Sequence, residues 1–294
     1  WVLWQYWKSF KKPIKMDGFL LAYKEKGISS NRLVQQVKKS LSLKKVGHLG
    51  TLDPMAEGLV ILAINRATRF SSFFLESDKS YIAGITFGAK TDTDDAMGQI
   101  IESSEIIPKE KNINEALESF VGESMQVAPF FSALKFKGKP LYKYAREGEF
   151  ISKPPRYINI FSIKDINHDV NYCSLSIHCS KGTYIRSIAR DLGDKLGCGA
   201  HLSSLIRTSQ GGFSYLEAKK TELINIDQLI SIESAFNNFH HIHLDHSQTK
   251  NFTNGVKILD INHENNYYKI YDYSSKFLGL GLVSESVLAL KRLV

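Results

Sequence analysis

Apolar positions recur at helical spacing between residues 29 and 41. Leu33, Val34, Val37 and Leu41 share one face of NRLVQQVKKSL, Ser29 or Ser30 can cap the first turn, and Lys38 and Lys39 fall on the solvated side. The period then changes. LVILAI, residues 59–64, is an unbroken apolar run of strand length, the pattern of a buried strand. From Tyr81, YIAGITFG alternates, with Tyr81, Ala83, Ile85 and Phe87 on one side as in a half-exposed strand. TDTDDAMG reads as a turn-rich loop, and residues 112–121 return to a short helical pattern.

YCSLSIHCS alternates again as a strand. GTYIRSIARDLGDKLG follows as an amphipathic helix, with Thr183 as expected N-cap and Ile185, Ile188, Ala189, Leu192 and Leu196 as core stripe. Gly197 is its expected stop. From about residue 243 short strands and turns take over in TNGVKIL, YYKIYDY, KFLGLGLV and VLALKRLV, predicting a small β-rich module. The pattern divides the chain into 1–16 as an N-terminal extension, 17–242 as the main domain and 243–294 as the appended module. In WVLWQYWKSFKKPIK the positive charges follow the aromatics, the wrong order for a secretory signal. These residues are read as an extension upstream of a start near Met16.

Composition narrows the class. Of 294 residues 43% are apolar and 11% aromatic, enough to bury a sizeable core. Lys plus Arg number 38 against 30 Asp plus Glu, a surplus of +8 that favours phosphates and anionic surfaces as partners. No apolar run approaches the roughly 20 residues of a spanning helix, which excludes membrane insertion by a helix. Cys173, Cys179 and Cys198 form neither a disulfide framework nor a paired metal motif, which fits a reducing cytoplasm.

The chemistry concentrates in KKVGHLGTLDP, residues 44–54, where Gly47 and Gly50 bracket His48 and Asp53 precedes Pro54. Asp then Pro is the signature of a helix N-cap and N1. The same proline moves Asp53 out of the α region, and the glycines permit tight turns, so the carboxylate could instead face a cleft as nucleophile or base. His48 is open to three roles: general acid or base, stacking platform, or core residue. Lys44 and Lys45 are solvated charges unless a nucleic acid passes nearby. Arg186 is either a surface residue or the planar fork that orients a carboxylate. Tyr81 is either half-buried packing or a ring on which a base stacks. Asp92, Asp94 and Asp95 miss the full spacing of a calcium loop. The run His240, His241, His243 and His246 lies in an expected linker without cysteine partners, so neither group is read as a metal site.

Taken together, GHLGTLDPMAEGLVILAINRATRF, KSYIAGITFGAKTDTDDAMGQI, QVAPFFSALKFKGKPLYKYAREG and SKGTYIRSIARDLGDKLGCGAHLSSLIRTSQGGF resemble signature regions of the bacterial TruB-type tRNA pseudouridine synthases. The resemblance runs from about Gly18 to the C-terminus and is strongest between Lys44 and Arg207. It implies an α+β fold (α/β in the broad sense) with a mixed, largely antiparallel sheet flanked by helices and a reduced PUA-like module at the end. It implies isomerisation of uridine 55 in the T-arm of tRNA, with the base flipped out, its glycosidic bond cleaved and the ring rejoined through C5. Asp53 matches the catalytic aspartate, Tyr81 the ring that stacks the base, and Arg186 the arginine that pairs with the aspartate. His48, Tyr184 and Leu205 match substrate-contacting positions, and Asp95 joins them as a second acid of the pocket network. No metal or organic cofactor is implied, and the partner is tRNA alone, bound by a monomer without a protein partner. Leu49, Met55, Glu57, Ala128 and Phe131 depart from the residues common in the family, and none of them removes a catalytic atom. The rivals are a non-catalytic RNA-binding protein and a synthase acting on ribosomal or guide-directed RNA.

Overall fold

The computed structural model describes residues 16–294, so residues 1–15 of the expected N-terminal extension lie outside the described residues. The chain opens with β1 (Gly18–Lys24), α1 (Ser30–Ser40), β2 (Val46–His48) and β3 (Glu57–Ile64). It continues through α2 (Ser71–Leu75), β4 (Lys79–Phe87), β5 (Ala89–Thr91), β6 (Ile100–Ser103), α3 (Glu110–Glu118) and β7 (Gly122–Gln126). Residues 135–140, rich in lysine, form a short ribbon, β8 (Lys135–Phe136) and β9 (Lys139–Pro140), followed by α4 (Leu141–Arg146). Then come β10 (Arg156–Asp169), β11 (Tyr172–Cys179), α5 (Ile185–Lys195), β12 (Ala200–Gln210), β13 (Phe213–Ser214) and β14 (Ile230–Ser231). The end of the chain holds β15 (His241–His243), α6 (His246–Thr253), β16 (Asn266–Tyr271), β17 (Phe277–Ser284) and β18 (Val287–Leu293).

The main sheet runs β14-β1-β3-β12-β4-β11-β10-β7, with β2 on β3 and β13 on β12. Only the β12–β3 pairing in it is parallel, which gives the mixed, largely antiparallel sheet expected. Helix α1 forms where the periodicity placed it. The Ser29 hydroxyl accepts from the Arg32 amide at 3.1 Å, and Leu33, Val34 and Val37 are buried. The unbroken apolar run of β3 has a physical reason, because both faces of the sheet are covered. Val60, Leu62 and Ile64 join the cluster under α1 and α5, while Leu59, Ile61 and Ala63 pack with Phe19, Phe70, Phe74 and Phe236. Tyr81, Ala83, Ile85 and Phe87 share the first cluster, as their alternation predicted.

Three local expectations change. Thr183 does not cap α5; its hydroxyl donates to the Ser180 carbonyl at 2.9 Å, and Tyr184 occupies the cap position. The Gln126 side chain fixes that turn by exchanging hydrogen bonds with the Tyr184 backbone, at 2.8 and 3.0 Å. TNGVKIL is not a strand. Thr253 ends α6, whose capping box is Asp245 with Gln248, and Ile258 forms only a bridge to Leu288. His241–His243 is not linker but the parallel partner of β16 in the sheet β15-β16-β17-β18. This module has its own core, including Ile242, Phe252, Ile270 and Leu288, and it docks on the main body through Leu280. Arg292 also donates to the Arg69 carbonyl at 2.9 Å.

Gly193 shows how closely α5 lies on the sheet: a Cβ there would stand 2.1 Å from the Ala200 backbone nitrogen. Replacing glycine by alanine inside a helix ordinarily stabilises it by about 1 kcal/mol. Here the sign reverses. Gly193→Ala is expected to destabilise the fold by about 2–3 kcal/mol in urea unfolding, through overpacking against backbone that cannot yield.

Candidate active site

The loop that carries Asp53 is held by its backbone. Its carbonyls at Gly50 and Thr51 accept from the Arg207 guanidinium at 3.1 and 3.4 Å, and the same group donates to the Leu59 carbonyl at 2.7 Å. Ser30 exchanges two hydrogen bonds with the Leu52 backbone, at 2.8 and 2.9 Å. Lys24, wholly buried, reaches the carbonyls of Ile28 and Pro54 at 2.7 and 3.4 Å. Burial pulls its ammonium down to about 8, with the nearby Asp53 opposing that shift. Gly50 has φ +137°, a backbone conformation that a side chain would strain. Leu52 and Met55 anchor the loop in the core.

No helix starts at Asp53. Asp-Pro opens a turn instead, closed by the Ala56 amide on the Asp53 carbonyl at 3.1 Å, so the capping alternative does not hold. The carboxylate is 32% exposed and meets Arg186, which is 4% exposed. Arg186 Nε donates to Asp53 Oδ2 at 2.8 Å, while its Nη1 and Nη2 donate to the carbonyls of Thr93 and Phe131 at 2.9 and 3.0 Å. A buried guanidinium therefore has an acceptor on each nitrogen and an anion on one edge. Asp95 lies behind it, with Oδ2 3.7 Å from Arg186 Nε. Its other oxygen accepts from the Thr93 hydroxyl and the Met97 amide at 2.8 and 2.9 Å, which shapes the acidic loop. Asp53 Oδ1 accepts no hydrogen bond among the described residues.

Tyr81 stands on β4 directly across from Arg207 on β12. Burial pushes its phenol up to about 12, although Arg207 pulls the other way, so the ring is neutral at working pH. Asp53, Tyr81, Arg186, Tyr184 and Leu205 all line one cleft of about 270 Å³. His48 and Asp95 are not on its lining. His48 sits on β2 with Nδ1 buried and without a partner among the described residues. Burial, reinforced by Arg207, pulls its imidazole below the ordinary value.

Sequence reasoning missed Arg207, Lys24 and Gln126 as parts of the site. Arg207 stands inside a quoted motif, and Lys24 is the one charge ending the apolar strand GFLLAYK, which was the available signal. A larger cavity, about 490 Å³, opens between α2 and the C-terminal sheet. Its acid, Glu76, pairs at the surface with Lys181. Among the described residues no group of three His, Cys, Asp or Glu side chains is placed to hold a metal ion.

Residues 38–185 match the TruB family pseudouridylate synthase N-terminal domain. Residues 186–245 match the tRNA pseudouridylate synthase B C-terminal domain, and 241–294 the C-terminal region of pseudouridine synthase II TruB. The chain is 40% identical to tRNA pseudouridine synthase B of Clostridium acetobutylicum over 279 residues, covering 92% of this chain and 96% of that protein. It is 38% identical to the enzyme of the same name from Pasteurella multocida over 291 residues, 95% of each chain. Among solved structures, a Cbf5-Nop10-Gar1 complex superposes with a TM-score of 0.69 at 21% identity, covering 94% of this chain and 84% of the other. That likeness concerns the fold. Over nearly its whole length, then, the chain belongs to the TruB family of pseudouridine synthases.

Proposed function

We propose that this chain converts uridine 55 in the T-arm of tRNA to pseudouridine, with Asp53 as the acting anion. The observation that carries the reading is the asymmetry of one carboxylate. Oδ2 is held by Arg186, while Oδ1 is unpartnered among the described residues, on a cleft shared with Tyr81. The reaction breaks the N1–C1′ bond and forms C5–C1′, moving a proton from C5 to N1. The product is an isomer, so no water or external electrophile needs activation. Everting the base costs a few kcal/mol, and stacking on Tyr81 at about 1–3 kcal/mol would offset much of it. Arg186 orients the carboxylate in a partly dry cleft through its Nε hydrogen bond. Tyr184 and Leu205 form its walls, His48 contacts RNA beside it, and Asp95 fixes the acidic loop behind Arg186.

In this reading residues 17–242 carry the chemistry and 243–294 help grip the RNA, as one chain without a protein partner. The substrate and the three buried free cysteines support a cytoplasmic setting. The lysine and arginine surplus supplies sequence-independent phosphate attraction.

The direct test incubates the protein with an unmodified T-arm stem-loop and maps pseudouridine by chemical labelling. Modification at position 55 is expected, and none there would refute the reading. Asp53→Asn should lower turnover by about 10⁴-fold or more, with RNA affinity kept within about threefold. Tyr81→Leu should lower kcat by about 10- to 100-fold and shift the dissociation constant less; unchanged kcat would remove the stacking role. His48 gives a pH test of the fold. The unfolded chain takes up a proton near the ordinary imidazole value of about 6.5, which the folded chain resists. Stability is therefore lost as pH falls below that value. Between about pH 7.5 and about pH 5, the wild type should lose more unfolding free energy than His48→Gln. Equal losses would show that His48 is not held neutral by the fold.

A further inference from the structure

Four cations line the cleft, and their hydrogen bonds separate them. Arg186 donates to Asp53 and to the Thr93 and Phe131 carbonyls. Arg207 donates to three loop and strand carbonyls, and Lys79 to the carbonyls of Leu75 and Ser77. Arg156, the first residue of β10, donates to no acceptor and pairs with no carboxylate among the described residues. Its Nε and Nη2 are buried without a partner. A buried donor left unpaired costs free energy that an incoming acceptor would recover.

The surroundings of Arg156 fit a guanidinium kept ready for a ligand. It lies over the Tyr184 ring, 4.5 Å from the centroid. That ring belongs to the residue whose backbone Gln126 clamps, and Gln126 is the β7 partner of Arg156 in the sheet. The platform is therefore fixed, while the group resting on it is held by stacking alone. Gly182, at φ +78°, passes beneath, and a Cβ there would stand 3.5 Å from Arg156 Nη1. Movement across the ring breaks no hydrogen bond.

We infer that Arg156 is the cation that clamps a phosphodiester beside the everted uridine, sliding over Tyr184 so that Nε and Nη2 meet the phosphate oxygens. The planar fork suits a phosphate, and its edge donors stay available while its face rests on an aromatic ring. The other three cations are already committed to holding the protein. The inference deepens the proposed function and rests on an RNA strand entering this cleft.

The test uses T-arm stem-loops, each with one neutral methylphosphonate at a phosphate flanking the target uridine, bound to the wild type, Arg156→Gln and Arg156→Lys. Arg156→Gln should weaken binding of the unmodified stem-loop about tenfold, raise KM, and leave kcat at saturating RNA within about threefold. One methylphosphonate should weaken the wild type by a similar factor and have no further effect on Arg156→Gln. The penalty at that position should be smaller in Arg156→Lys, which keeps the charge and loses the fork. Equal penalties in wild type and Arg156→Gln at every position would overturn the inference, assigning Arg156 to the base or to packing. If Arg156→Gln does not fold, an unchanged penalty in Arg156→Lys overturns it equally. Lost coupling with normal pseudouridine formation sinks only this inference. Intact coupling without modification at position 55 sinks only the proposed reaction.

Discussion

The ion pair between Asp53 and Arg186 joins segments 133 residues apart at 2.8 Å, and the site is built around it. A guanidinium buried this deeply needs acceptors on every edge, because an unpaired buried charge costs several kcal/mol. Thr93, Phe131 and Asp53 provide them from three different loops, and Asp95 adds a second anion behind. The acidic loop, the segment before the basic ribbon, the GTLDP turn and helix α5 are therefore positioned by one side chain. Of these partners Asp53 alone lines the cleft, which turns a structural pair into a candidate reactive one.

A second constraint keeps that carboxylate from wandering. Residues 49–54 have no helix or strand of their own, so their carbonyls must find donors elsewhere. Buried Arg207, Lys24 and Ser30 supply those donors from β12, β1 and the start of α1. The position of Asp53 thus rests on core elements, the arrangement in which a small displacement is most strongly resisted. Arg207 also lies opposite Tyr81 on the neighbouring strand, so the Tyr81 ring and the aspartate loop share one support.

Much of this was legible in the residues, and the limits have physical reasons. Leu33, Val34 and Val37 announced α1, and the run from Leu59 to Ile64 announced a strand covered on both faces. The glycines and Pro54 marked the Asp53 loop, but local chemistry could not choose between a helix cap and a cleft-facing carboxylate. That choice depended on Arg186, remote in sequence. Arg207, Gln126 and Arg156 owe their positions to strand register: Arg207 lies opposite Tyr81, and Arg156 opposite Gln126. Thr183 is the expected cap from sequence, and Tyr184 takes that position because Gln126 supplies hydrogen bonds from another strand. TNGVKIL misled because α6 buries Phe252 alone and so shows little periodicity.

The central claim is that Asp53 and Arg186 work as a unit, and a double-mutant cycle on single-turnover pseudouridine formation tests it most directly. Asp53→Asn, Arg186→Gln and the double variant would be compared with the wild type on one T-arm stem-loop, each folded by circular dichroism. The account predicts that the double variant is no slower than Asp53→Asn alone, because Arg186 acts through the carboxylate. Losses that multiply, with the double variant slower by the product of both single effects, would contradict it.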